Sequence, residues 1–431
     1  MKSPSILVNT VVVATTTFVI FCQTALAAPL ELSLNESIAL TYKNNPALQI
    51  VEARQEQSVW ALKEAQTNKN LSLDYTHTDM RSSSPPTWSP SLAAVSPYNY
   101  FSNQIIASIP LYTGGNVENT IEQAKLSHNV FQLESAATKQ QLKLETSEGY
   151  YNVLQKKTLL KITKQTVNDF SAHLNRVRQM YDAGVAPWHD VLQTKVRLAN
   201  AENDLVKAQN DYDLAVYSLN KTMGLAFRSE ITLTEPLIYQ EYALALDDVT
   251  AYGLAHRPEM AQQQANIKKE EAQIKIAQSG QHPKVMLTGT MAWDNDDFAG
   301  TANRDWTAML VTQFNLFDSG NTKAKVRQAQ SGELAARKQA QQMQDNISLE
   351  ISDAYLSMKE AEKRISTNKV AVDEASVNFD IAQKAYSAGV GTNLDVMDAE
   401  LALNQAKTNY TNSLFDYNIS KARLDKAMGS E

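Results

Sequence analysis

The 431-residue chain carries one cysteine, Cys22, and that thiol falls in the opening apolar stretch. Past residue 28 the sequence offers no disulfide, no thiolate nucleophile and no cysteine metal ligand. Glycine and proline are scarce, at 14 and 12 residues, while Ala, Gln, Asn, Lys and Glu abound. That balance favours long helices over a compact globular enzyme. After the first 28 residues no run approaches the roughly 18 consecutive apolar residues of a membrane helix, so only a β-barrel is left as a membrane-crossing form. Net charge is −7, which argues against a nucleic-acid partner. Six histidines (His77, His128, His173, His189, His256, His282) are scattered, with no His-x-x-x-His or His-Glu-x-x-His. Neither Gly-x-Ser-x-Gly nor a phosphate-binding glycine loop is present. We therefore expect no enzymatic activity, no bound metal and no cofactor.

What the sequence does contain, it contains twice. Tyr181-Asp182-Ala183-Gly184-Val185, followed by Asp190-Val191, returns 205 residues later as Tyr386-Ser387-Ala388-Gly389-Val390 and Asp395-Val396. Fourteen of the 44 positions from Tyr181 to Gly224 match their counterparts, several times the chance level. Upstream, Leu111-Tyr112 and Gly115-Asn116 pair in the same register with Leu316-Phe317 and Gly320-Asn321. A period this long indicates a duplicated half-molecule rather than a solenoid. The chain divides accordingly into residues 1–28, a first repeat over 29–224, a linker over 225–250 and a second repeat over 251–431. The first segment has the layout of a secretory signal peptide: Lys2, an apolar stretch from Ile6 to Cys22, and Ala25-Leu26-Ala27. Phe21 before Cys22 is a poor context for lipid attachment.

Each half reads as helix, strand, loop, strand, long helix, turn and helix. Ser33 and Glu36 form a capping-box signature ahead of a helix running to about Thr67, restarted at Asn45-Pro46; His256-Arg257-Pro258-Glu259 repeats that punctuation. The offset there is 212, so the first half carries seven extra residues. Alternation then marks strands over Leu71–Thr78, Tyr100–Leu111, Val285–Trp293 and Arg304–Leu316. Runs of about ten residues suit tilted membrane strands, and aromatics near their ends suit interfacial girdles; a half-buried soluble strand has the same period. Polar loops are expected over Asp79–Asn99 and Asp294–Asn303. The cluster Asp294-Asn295-Asp296-Asp297 lacks the downstream Glu of an EF-hand and is read as a solvated loop. Asn116–Asp182 and Asn321–Ser387 contain no proline and one glycine each, and at ~1.5 Å per residue each would span ~100 Å. The linker is expected to be non-helical with one short strand.

This layout resembles the TolC family of outer-membrane efflux proteins. The resemblance rests on the duplicated Tyr-x-x-Gly-x-x-x-x-x-Asp-Val (Tyr181 to Val191, Tyr386 to Val396), on Leu-Tyr/Phe-x-x-Gly-Asn at the head of each long helix, and on the paired Met-Gly ends, Met223-Gly224 and Met428-Gly429. It implies a mainly α protein with a membrane β-barrel portion. In that fold a homotrimer closes a 12-stranded barrel that continues as a long α-helical barrel, embedded in outer-membrane lipid with its helices in the periplasm. The implied function is a passive exit duct for a tripartite efflux or type I secretion system, working with a periplasmic adaptor and an inner-membrane pump. Carried over, Gly184, Val185, Gly389 and Val390 form the adaptor-docking tip. Asp395 and Asp398 form acidic rings at the entrance, and Asp190 pairs with Tyr386 in the closing contacts. The crowding is expected to raise some of these carboxyl pKa values. Gly391 departs from the pattern, standing where an arginine helps close the gate in other members.

Two bland readings compete. The Asp residues that follow each turn also suit helix capping and compensation of the helix dipole. A soluble periplasmic coiled-coil adaptor or scaffold fits the helices but leaves the amphipathic strand pairs unexplained.

Overall fold

The computed structural model describes residues 30–83, 98–298 and 300–430. The expected signal peptide and the Ser/Pro-rich segment from Ser84 to Pro90 lie outside them. The first half runs β1 (Leu30–Leu32), α1 (Leu34–Asn44), α2 (Pro46–Thr67), β2 (Ser72–Ser82), β3 (Tyr98–Tyr112), α3 (Asn116–Asp182) and α4 (Trp188–Thr222). After β4 (Ile231–Leu233), the second half repeats the order as α5 (Leu246–His256), α6 (Pro258–Gln278), β5 (Lys284–Asn295), β6 (Arg304–Gln313), α7 (Asn321–Ser387) and α8 (Asn393–Met428).

Local chemistry accounts for the helix limits. Ser33 and Glu36 satisfy each other's backbone N–H groups in a capping box. Asn45 ends α1 and caps α2 through Ala47 N, while Pro46 takes the first turn, where no N–H is needed. α3 and α7 run uninterrupted for 67 residues each, with the limits expected from the missing prolines. Both Met-Gly ends close helices, with Gly224 and Gly429 at positive φ.

Three boundaries differ from expectation. α5 begins at Leu246, inside the supposedly non-helical linker; Asp247 and Asp248 occupy its first turn, where carboxylates offset the helix dipole. The strands run further into the loops than alternation indicates, since Asp79–Ser82 pair with β3 and Asp294 and Asn295 pair with β3 from the other side. The connections are thus 83–97 and 296–303, and their difference supplies the seven extra residues of the first half. β6 stops at Gln313, leaving Phe314 and Leu316 beyond the strand.

The four long strands form one antiparallel sheet in the order β2-β3-β5-β6, so the hairpins of the two halves join through β3 and β5. Directly opposed residues share a face. Tyr75, Ile105, Met291 and Trp306 lie in one row, and Leu73, Ala107, Gly289 and Ala308 in another on that face. The opposite face carries Thr76, Gln104, Ala292 and Asp305 in register, and Thr78 opposite Ser102. The sheet is therefore apolar on one side and largely polar on the other. Its outer strands, β2 and β6, each have one edge that no other described strand pairs. β6 is exposed along its whole length.

The helices bury themselves as two hairpins, α3 with α4 and α7 with α8. Tyr150, Val153, Leu219 and Met223 form the centre of one core, closed over by β1 and β4. Ile347, Ile351, Met358 and Leu424 centre the other, covered by α5. The hairpins meet along an α3–α8 seam of polar pairs: His173–Asn393 (2.8 Å), Gln155–Asn412 (2.9 Å), Glu148–Arg423 (2.8 Å) and Gln140 to the Gly429 carbonyl (3.1 Å). Among the described residues, no helix is long and apolar enough to cross a membrane.

Between α5 and α6, Arg257 is 4 % exposed and bonds Glu259 at 2.8 Å, Glu350 at 2.5 Å and the Ala427 carbonyl. Burial works to raise the Glu259 and Glu350 carboxyls, but hydrogen bonds and charge from Arg257, with Lys426 at Glu350, hold both below the usual range. Arg257→Met should destabilise the protein by about 3 kcal/mol, because Glu259 loses its buried partner and Glu350 is left with Lys426 alone. Thermal denaturation in detergent measures this. Glu259 and Glu350 have depressed pKa values, so their stabilisation is present at neutral pH and fades as pH falls below the ordinary glutamate value. The variant's deficit should shrink in the same acid window.

Candidate functional site

The turns of the two hairpins lie side by side at one end of the molecule. Val185, Pro187 and Asp190 of one turn and Tyr386, Gly389 and Asn393 of the other are among the residues that line a cleft of about 490 Å³. Each turn is a Schellman closure. Gly184 N–H bonds the Tyr181 carbonyl (2.8 Å) and Val185 N–H the Met180 carbonyl (2.8 Å); Gly389 and Val390 repeat this on Tyr386 and Ala385, each at 3.0 Å. Such a closure needs a left-handed residue, and Gly184 and Gly389 sit at φ +75° and +76°. A side chain at either would project into open space within the chain. Val185 and Val390 are 65 % and 82 % exposed. Two apolar side chains thus stand unsupported beside two glycines.

Asp190 and Asp395 occupy equivalent third positions of α4 and α8, but their surroundings differ. Thr392 and Asp395 complete a capping box, with Thr392 N and Oγ1 donating to the Asp395 carboxylate at 2.9 and 2.6 Å. Those bonds hold the Asp395 carboxyl below its ordinary value. Within one chain this is the reverse of the rise expected from crowding. α4 starts after Pro187, which offers no side-chain cap, and leaves Asp190 in its first turn. Asp398, one turn inward, is exposed and makes no hydrogen bond or ion pair among the described residues.

Tyr386 is buried against Leu174, Val177, Val191 and Val396, so it joins all four helices. Its hydroxyl has no hydrogen-bond partner among the described residues, and the expected bond to Asp190 is not made. Burial first, then the Asp190 charge, raises its pKa. Its repeat counterpart Tyr181 is exposed and packs on Trp188.

The polar link between the hairpins here is one that sequence reading missed. Asn393 Oδ1 accepts from His173 (2.8 Å) and from Thr194 Oγ1 (3.2 Å), and Asn393 Nδ2 reaches the Asp190 carbonyl (3.4 Å). Burial keeps His173 from protonating easily, which suits a neutral ring donating through Nε2. The available signal was broken repeat symmetry: Asn393 stands where the first half has Trp188, and Thr194 where the second has Ala399. Gly391 is equally local in its constraint. A Cβ there would meet Tyr386 N at 3.0 Å and Ala385 Cβ at 3.1 Å, so this turn is packed around the missing side chain.

An open antiparallel sheet carried on two duplicated, overlong helical hairpins defines a class, and the comparisons agree with it. The chain belongs to the outer membrane efflux protein family, which it matches over residues 38–225 and 253–430. It is 22% identical to the outer membrane protein TolC of Escherichia coli (strain K12) over 306 residues, 68% of this chain and 62% of that protein. It is 21% identical to the probable efflux pump outer membrane protein TtgC of Pseudomonas putida over 319 residues, 73% of this chain and 66% of that protein. The chain thus spans a little under two thirds of these relatives. The fold resembles that of the outer membrane protein VceC of Vibrio cholerae (TM-score 0.81, 18% identity, 92% of this chain and 96% of that one). It also resembles the Campylobacter jejuni CmeC outer membrane channel (TM-score 0.82, 16% identity, 92% and 85%).

Proposed function

We propose that three copies of this chain form a passive exit duct across the outer membrane and periplasm, serving a tripartite efflux or type I secretion system. One observation carries the reading: the four-stranded sheet has an apolar and a polar face, two unpaired edges, and direct continuity with 67-residue helices. Open edges in lipid leave backbone groups unsatisfied at several kcal/mol each, so the sheet must close with others of its kind. Twelve strands from three copies close a barrel with the apolar face toward lipid and the polar face toward the lumen. Tyr75 stacked near Trp293 (centroids 6.4 Å apart) suits an interfacial girdle. The family match and the fold support the same reading. A soluble adaptor would leave that apolar face in water.

At the other end, Gly184, Val185, Gly389 and Val390 form the surface on which a periplasmic adaptor docks, with an inner-membrane pump beyond it. Asp395 and Asp398 line the entrance, and Tyr386, packed among all four helices beside Asp190, braces it. Purified protein should run as a trimer in mild detergent and conduct in planar bilayers. A stable monomer with no conductance would overturn the proposal.

A further inference from the structure

The α3–α8 seam has one rung that does not match. Between the His173–Asn393 and Gln155–Asn412 pairs, the seam carries Asp169 on α3 and Glu400 on α8, close enough for the Asp169 charge to act on Glu400, so this rung holds two acids. Glu400 is 2 % exposed. Its Oε1 accepts one bond from Asn404 of its own helix (3.1 Å), and its Oε2 is buried without a partner. Asp169 is half-buried and takes one bond from Gln165 (2.9 Å). Lys407, on α8, acts on both carboxyls without forming an ion pair with either among the described residues. The neighbouring helices contribute apolar surface at this level, Ala201 from α4 and Phe379 from α7. The charged residues that follow them face away: Glu202 is exposed, and Asp380 is paired with Lys384 at the surface.

We propose that Glu400 is the proton site of a switch built into this seam: protonated, it lets α8 pack against α3 near the tip; ionised, it drives the two helices apart. The functional consequence, an entrance that tightens in acid and loosens toward neutrality, rests on the exit-duct reading. The packing around the group fits a proton better than a cation. Protonation removes the charge from a buried oxygen that has no partner among the described residues, whereas a bare carboxylate there is paired with no counter-charge. Burial first, then the Asp169 charge, lifts Glu400 to about 7. Burial likewise raises Asp169. The sign follows from proton uptake. The packed state holds the proton more tightly than the separated one, so the contribution of Glu400 to packing is complete below the free value of 4.5 and is lost as pH rises toward about 7.

Hydrogen exchange of the purified full chain, followed by mass spectrometry over residues 393–405, tests the switch without depending on conduction. After correction for intrinsic rates, exchange should rise about tenfold between about pH 5 and about pH 8. Glu400→Gln keeps the shape, cannot ionise, and should abolish the rise. Asp169→Asn removes the opposing charge and should move the midpoint toward acid, which keeps the test available if Glu400→Gln does not assemble. No rise in the native chain, or an equal rise in Glu400→Gln, would overturn the switch. A chain that shows the exchange change but no conductance would retain the switch and reject the duct.

Discussion

Gly389→Trp is expected to leave the protein in the outer membrane at normal abundance while abolishing export. Within the chain the substitution is mild. The turn demands a left-handed residue, so an indole there costs about 1 kcal/mol in backbone strain, but a Cβ at this position meets nothing within 4 Å. The helices on either side are held by their own cores, so the hairpin survives. On the docking proposal, a partner approaching that tip would meet a bulky ring in place of bare backbone beside two exposed valines. Export by cells carrying the variant, read beside crosslinking to the adaptor, separates the two effects. Normal export at equal abundance would remove the tip from docking.

The second large effect concerns ion preference. Asp395→Ala with Asp398→Ala should strip the entrance of its cation selectivity, seen as a reversal potential moving toward zero in a salt gradient. In the proposed trimer the two positions would contribute three carboxylates each around one constriction, where their fields would add. The structure allows the capping role to be separated from the electrostatic one. Asp395 belongs to the capping box with Thr392, whereas Asp398 is exposed and has no such duty. Asp398→Ala alone should therefore reduce selectivity without loosening α8. Asp395 is held below the ordinary aspartate value, so its share of the selectivity should persist in mild acid and disappear only as pH falls through that lowered value. An unchanged reversal potential in the double variant would place the selectivity elsewhere.

Much of the fold was legible because it is local. Two 67-residue stretches free of proline, each entered by Gly-Asn and left by Ala-Gly, could be read directly as α3 and α7. The apolar faces of the strands followed from period two, and the ladder joins the corresponding faces of both halves. Strand ends were less legible. Asp79, Met80 and Arg81 break the alternation, yet ladder pairing with β3 carries them into the strand. At the tip, the Schellman glycines were visible from spacing, since left-handed backbone selects the residue. The seam was not. His173 and Asn393 lie 220 residues apart, and Asp169 and Glu400 even further, in halves that share no local pattern at these positions. Periodicity shows that a helix has a buried face. It does not show which neighbour covers it, and the duplication misleads here, because Tyr181 is exposed while its counterpart Tyr386 is buried.

The pairing of β1 with β4 sets an order of events during folding. Leu30–Leu32 lie parallel to Ile231–Leu233, and Tyr150 donates to the Leu32 carbonyl. The first strand of the described chain therefore has no partner until about two hundred further residues have followed it. Closing a loop of that size is slow, because its entropy is spent before any contact repays it. The β1 residues stay without a strand partner while the rest of the first half is made. Their docking marks the moment when the first half is complete.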